Sequence, residues 1–181
     1  MDKKDFRKKV RNLKLSFSKQ KLIQKSKDVI LNLESSPLFV NANTIMAYWS
    51  MDDEVFTHDF AQRWFKEKTI LLPVIDGNNL LIKQFTGSEN MKPDKRFGIP
   101  EPQGEIFSNT KDIELIIVPG VAFDRAKNRL GRGKAFYDRL LKNTSCPKAG
   151  ICFDFQLFDQ IPVDEHDIAM DIIVSENEII N

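Results

Sequence analysis

Apolar positions in the first part of the chain recur at helical spacing. Residues 2–15 and 19–33 read as two helices, the second with Leu22, Ile23, Ile30 and Leu33 on one stripe, Ser18 as N-cap and Ser35-Ser36-Pro37 as its stop. The period then changes. Residues 44–49, 69–74 and 80–85 are short apolar runs read as strands, with a helix over 57–66. Residues 114–118 (Glu-Leu-Ile-Ile-Val) make the purest strand, stopped by Pro119-Gly120. A helix over 134–142 and short strands at 149–153 and 171–174 follow. Strands alternating with helices predict an α/β fold: a single three-layer, Rossmann-like domain, its mostly parallel sheet flanked by helices and preceded by two N-terminal helices. Residues 86–109 carry Gly87, Pro93, Gly98, Pro100, Pro102 and Gly104 and little periodicity. An irregular stretch of that length is usually functional, so it is expected to pass near the site.

Composition narrows the class. The 181 residues suit one domain that needs no disulfide or metal staple. Cys146 and Cys152 form no C-x-x-C pair and read as reduced thiols. No run reaches the length of a membrane span, and residues 1–14 lack the apolar core of a secretory signal, so the cytoplasm is the expected compartment. With no heptad seam or other assembly signal, a monomer is expected.

Charge is distributed unevenly behind a net value of +1. Residues 1–27 hold eleven of the 27 Lys/Arg but only Asp2 and Asp5 of the 26 acids. Such an arm is either a solvated helix face or the seat of an anionic partner: a nucleoside triphosphate, RNA or an acidic lipid surface. Single-strand binders interleave aromatics with the cations, and here only Phe6 and Phe17 are available, which argues against RNA.

The stretch from Val118 to Leu141 concentrates the chemistry. A strand leads into a Gly/Arg/Lys loop that opens onto a helix, the arrangement in which backbone amides and a helix dipole hold phosphate. Gly131 and Gly133 allow close approach, and Arg129, Arg132 and Lys134 supply cationic donors. Asp138, four residues after Lys134, is placed to hold Mg²⁺. It is not a Walker loop, because Asn128 and Ala135 stand where Gly and Ser/Thr are needed, nor a dinucleotide fingerprint, because Phe136 replaces its third Gly. By these rules it is an anion-binding strand–loop–helix or a basic surface loop.

The run Asn128-Arg129-Leu130-Gly131-Arg132-Gly133-Lys134, followed by Phe136-Tyr137-Asp138, resembles the signature of 5-formyltetrahydrofolate cyclo-ligases. So do Pro119-Gly120 with Phe123-Asp124, Phe97-Gly98-Ile99 with Glu101-Pro102, Ser50-Met51 with Asp53-Glu54 and Thr57, and the opening Lys3, Phe6 and Arg7. These blocks follow the family's order over nearly the whole chain.

The resemblance implies that ATP and Mg²⁺ are used to phosphorylate the formyl oxygen of a reduced folate. N10 then attacks the activated carbon, and loss of phosphate leaves 5,10-methenyltetrahydrofolate. It implies ATP contacts from Lys3, Arg7 and the run Arg129, Leu130, Gly131, Arg132, Gly133, Lys134, Ala135, Phe136 and Tyr137, with Arg132 and Lys134 stabilising the developing charge. Asp138 and Asp171 would be the metal carboxylates. Glu54 would grip the pterin, and Trp49, Arg132 and Phe136 would contact the folate, although Trp49 read alone is equally a core residue. Ala135 replaces a usual glycine, mild if that backbone is helical. Phe136 replaces a usual tyrosine and keeps the ring without the hydroxyl. His58 and His166 read as structural or solvated. The rival readings are another phosphate-ester enzyme or sensor on the same scaffold, and an RNA-binding protein using the basic arm.

Overall fold

The computed structural model describes residues 1–94 and 98–181, so Phe97 lies outside the described residues. Asp2 caps α1 (Lys3–Lys14), its carboxylate accepting from the Asp5 amide at 2.8 Å. Ser18 caps α2 (Lys19–Ser35) by accepting from the Lys21 amide at 3.2 Å. The buried stripe of α2 is Leu22, Val29, Ile30 and Leu33; Ile23, expected on it, is exposed. Pro37 does not simply stop the chain. It opens a short helix, α3 (Pro37–Asn41), capped by Ser36.

β1 (Thr44–Met46), α4 (His58–Trp64) and the hairpin of β2 (Thr69–Asp76) and β3 (Asn79–Gln84) follow. The segment expected to be irregular contains an antiparallel pair, β4 (Met91–Pro93) and β5 (Pro100–Pro102). β6 (Leu115–Pro119) turns back into β7 (Ala122–Asp124) and β8 (Arg129–Leu130). α5 (Phe136–Leu141), β9 (Lys148–Ile151), β10 (Leu157–Phe158), β11 (Ile172–Val174) and β12 (Ile179–Ile180) complete the chain.

The main sheet runs β12-β11-β9-β6-β1-β2-β3. Its five inner strands are parallel, and β3 and β12 are antiparallel edges. Side chains alternate across it. Ile45, Ile70, Leu72, Leu115, Ile117, Ile172 and Val174 enter one core with α2, α3 and α4. Met46, Leu71, Ile116, Val118 and Ile173 enter the opposite core with Phe123 and with Leu141 of α5. Both faces are covered, which is why these strands read as near-continuous apolar runs. α1 stands apart from the two layers: Phe6 and Val10 pack on Ala122, Leu130 and Ile161.

Counted along the chain, the five parallel strands lie in the order 2-1-3-4-5. The direction of winding reverses between β1 and β6, and open α/β sheets place their ligand crevice at the carboxyl ends of the strands at that point.

Candidate active site

Beyond the ends of β1 and β6 the chain continues as Tyr48-Trp49 and Gly120, and these residues share one cavity of about 880 Å³. Its other walls are Met51 and Glu54, the β2–β3 hairpin through Pro73 and Ile75, the β4–β5 segment through Asp94 and Pro100, and the loop from Gly131 to Arg139. The segment expected to pass the site does pass it.

Glycine serves two purposes in the loop. A Cβ on Gly131 would lie 2.8 Å from the Arg129 guanidinium, which would have to shift to admit it. Gly133 has φ +93°, a left-handed region closed to most residues. Ala135 is also left-handed, at φ 53° and ψ 21°, and the helix begins at Phe136. The expectation that Ala135 is helical, and a mild replacement for glycine, is therefore corrected: it carries a Cβ in a conformation that glycine adopts freely.

The loop cations differ in their engagement. Arg129 is nearly buried and pairs with Asp138, and its Nη1 donates to the Pro119 carbonyl at 3.4 Å. Its Nε is buried without a partner, as is the Tyr137 hydroxyl. Arg132 reaches back to the loop after β1, pairing with Asp53 at 2.5 Å and Glu54 at 3.0 Å. The second Glu54 oxygen accepts from the Met51 amide at 2.9 Å. Glu54 lines the cavity with Oε1 taken twice, by Arg132 Nε at 3.1 Å and Nη2 at 3.0 Å, so the lone pair left over is on Oε2. Lys134 is exposed, lines the cavity and has no hydrogen bond or ion pair among the described residues. Phe136 lines the cavity too, with the Arg139 guanidinium over its ring at 5.3 Å.

Three expected contacts are not found. Leu130 is buried in the cluster that receives α1, so only its backbone is left for a ligand. Lys3 is held by Asp167 at 2.5 Å and Asp164 at 2.8 Å and lines neither cavity. Asp171 is not beside Asp138. It stands at the start of β11, accepting from the Lys148 amide at 2.7 Å and pairing with Lys148 Nζ at 3.1 Å. Because β9 and β11 are parallel, this is the amino-terminal edge of the sheet, opposite the crevice.

A second cavity of about 540 Å³ adjoins the first, with Arg132 in the wall of both. α1 lines it with Lys4, Arg7, Lys8, Arg11 and Lys14. These recur at i, i+3, i+4, i+7 and i+10, one helical face, and the spacing was the signal available in the sequence for a cationic groove where solvated lysines were expected. Arg7 Nε donates to the Gly131 carbonyl at 2.8 Å, tying α1 to the loop. Lys14 donates to the Asp53 carbonyl at 2.7 Å and pairs with its carboxylate at 3.2 Å. Burial lowers the Lys14 pKa despite that carboxylate. For Asp53 burial acts upward, but Lys14 and Arg132 outweigh it and hold the carboxyl below its usual range.

Among the described residues no three His, Cys, Asp or Glu side chains converge as a metal cage. Mg²⁺ does not need one, since it keeps waters and is held by one or two carboxylates together with substrate phosphates. Asp138, beside the loop, fits that use. No helix among the described residues is long and apolar enough to cross a membrane.

The chain also has relatives. The mouse 5-formyltetrahydrofolate cyclo-ligase is 32% identical over 154 residues, covering 77% of this chain and 76% of that protein. The Escherichia coli K12 enzyme of the same name is 32% identical, with coverage of 79% and 83%. The solved structure of Aquifex aeolicus 5,10-methenyltetrahydrofolate synthetase superposes with a TM-score of 0.88 at 36% identity, over 99% of this chain and 92% of that one. A Mycoplasma pneumoniae 5,10-methenyltetrahydrofolate synthetase, at 22% identity and TM-score 0.75, shares the fold. The 5-formyltetrahydrofolate cyclo-ligase family model matches residues 1–176, and with that glycine loop at the switch point the chain belongs to the 5-formyltetrahydrofolate cyclo-ligase family.

Proposed function

We propose that the protein closes 5-formyltetrahydrofolate to 5,10-methenyltetrahydrofolate at the expense of ATP, its 181 residues acting as one catalytic domain. The observation that carries this reading is the shared wall: Arg132, fixed by Asp53 and Glu54, separates a cationic groove from a larger, mixed-lined cavity. The groove suits a triphosphate, the cavity a folate, and the wall is where the two react.

The groove cations Lys4, Arg7, Lys8 and Arg11 bind the phosphates, with Lys134 approaching from the loop. Trp49 and Phe136 flank the flat rings, and Glu54 accepts from a pterin N–H group through the lone pair left on Oε2. The formyl oxygen takes the γ-phosphoryl group and ADP leaves. N10 then attacks the activated carbon and loses its proton to solvent, and the C–O bond breaks to release phosphate and leave the methenyl bridge. Such chemistry needs positioned phosphates and neutralised charge more than a strong base, which Arg132 and Lys134 provide. Mg²⁺ held by Asp138 would add charge neutralisation at the phosphates.

The test is the near-ultraviolet absorbance of the methenyl product. Product requires ATP and Mg²⁺, and falls by on the order of a hundredfold or more in Lys134→Ala. Asp138→Asn loses activity and raises the Mg²⁺ requirement; Asp171→Asn keeps both. A folded protein that binds ATP and makes no product would overturn the reading.

A further inference from the structure

The rear of the folate cavity carries a residue that the family signature does not include. Trp49, half-buried at the end of β1, contributes to the cavity wall, whereas His58, the first residue of α4, does not. The imidazole is stacked on the indole, with ring centroids 3.7 Å apart and planes 10° from parallel. Phe56 packs on the imidazole at 4.4 Å and 50°, and Phe85 meets the indole at 5.7 Å. His58 Nε2 lies 3.0 Å from the Ser50 carbonyl oxygen. A carbonyl only accepts, so Nε2 carries the proton and donates, which fixes the tautomer and the ring plane. The same backbone turn is clamped twice more, Thr57 N to Ser50 Oγ at 3.1 Å and Ser50 N to Thr57 Oγ1 at 3.2 Å. The imidazole therefore cannot rotate away from the indole without breaking its own hydrogen bond.

We infer that His58 is a positioning residue: it holds the Trp49 indole in the plane that the flat part of the folate packs against, and so sets folate affinity without touching substrate. This rests on the assignment of the larger cavity to folate. The groups facing the imidazole are the Ser50 carbonyl, Asp59 of its own helix and Asp52 of the loop after β1. Burial outweighs all three and moves the His58 pKa below its ordinary value. At neutral pH the stack is between two uncharged rings, and acid converts it to a cation against an indole.

The experiment combines steady-state kinetics with indole emission in a Trp64→Phe background, leaving Trp49 as the sole tryptophan. His58→Ala is expected to raise KM for 5-formyltetrahydrofolate roughly three- to tenfold, with kcat and KM for ATP changed less than about twofold. His58→Phe, which restores a flat ring, recovers most of that loss. Trp49 emission titrates below the usual histidine range through quenching by the imidazolium, and His58→Phe abolishes the titration. Unchanged folate KM in His58→Ala, or equal changes in the KM for folate and for ATP, would sink the positioning role. Absence of methenyl product from the wild-type chain would instead overturn the folate assignment, so the two failures are distinguishable.

Discussion

A left-handed backbone at a residue with a Cβ is a strained way to open a helix, and Ala135 adopts it between the glycine-containing loop and α5. The conformation costs an L-residue about 1–2 kcal/mol, while glycine costs about 0.5–1 kcal/mol more than alanine to order. The first outweighs the second, so Ala135→Gly should stabilise by up to about 1 kcal/mol, a rise of about 2 °C in Tm for a chain this long. Ala135→Val should lower Tm, because a β-branched side chain fits left-handed backbone worse still. Calorimetry of the three proteins decides it, and equal Tm values would mean that the loop relaxes into an unstrained form. The usual glycine of the resembling family at 135 is the one hint of this strain, and it reads as a mild change. Glycine at 131 and 133 announces special backbone, but alanine at 135 reads as an ordinary helix former, and only the observed φ overrides that propensity.

At the scale of elements, α1 is the piece whose place was least legible. Its existence was legible, since residues 2–15 read as a helix, and the structure adds the Asp2 cap. Its docking partners, Ala122, Leu130 and Ile161, lie more than a hundred residues away, and no local pattern pairs them with it. Leu130 therefore read as a ligand contact because it sits inside the signature, whereas its side chain is the floor on which α1 stands. Leu130→Ala should lose about 2–5 kcal/mol of stability as a buried large-to-small change. The loss should concentrate in one element. Amide exchange across residues 3–14 should accelerate well beyond that in the central strands, and KM for ATP should rise more than KM for folate, because the groove cations leave with the helix. Uniform acceleration throughout the chain would instead show that α1 and the sheet unfold as one cooperative unit.

For the whole molecule, alternating strands and helices were enough to specify a parallel sheet covered on both faces, since each apolar run is too short for a buried helix and too pure for a half-exposed strand. They did not specify which edge of that sheet a residue occupies. Asp138 lies in the first turn of α5 and Asp171 just before β11, yet α5 starts above the crevice and β11 starts at the opposite edge, so the expected pair of carboxylates falls apart. Direction also decides where the acid-sensitive ion pairs collect. Asp53 meets Lys14 and Arg132, and Asp167 meets Lys3, all along the seam between α1 and the body. For both carboxyls burial acts upward but is outweighed: by Lys14 and Arg132 at Asp53, and by Lys3, the Asp164 amide and Arg129 at Asp167. A carboxyl whose folded pKa lies below its unfolded value of about 4 contributes stability that is fully present above that value and disappears as pH falls through the folded pKa. Acid should therefore loosen the α1 seam first. Between about pH 5 and 3 the Tm of the wild type should fall more steeply than that of the Asp53→Asn/Asp167→Asn variant, which starts lower at pH 7 and has less to lose. Parallel Tm curves for the two proteins would show that the seam does not govern acid stability, and that carboxylates elsewhere in the fold set it.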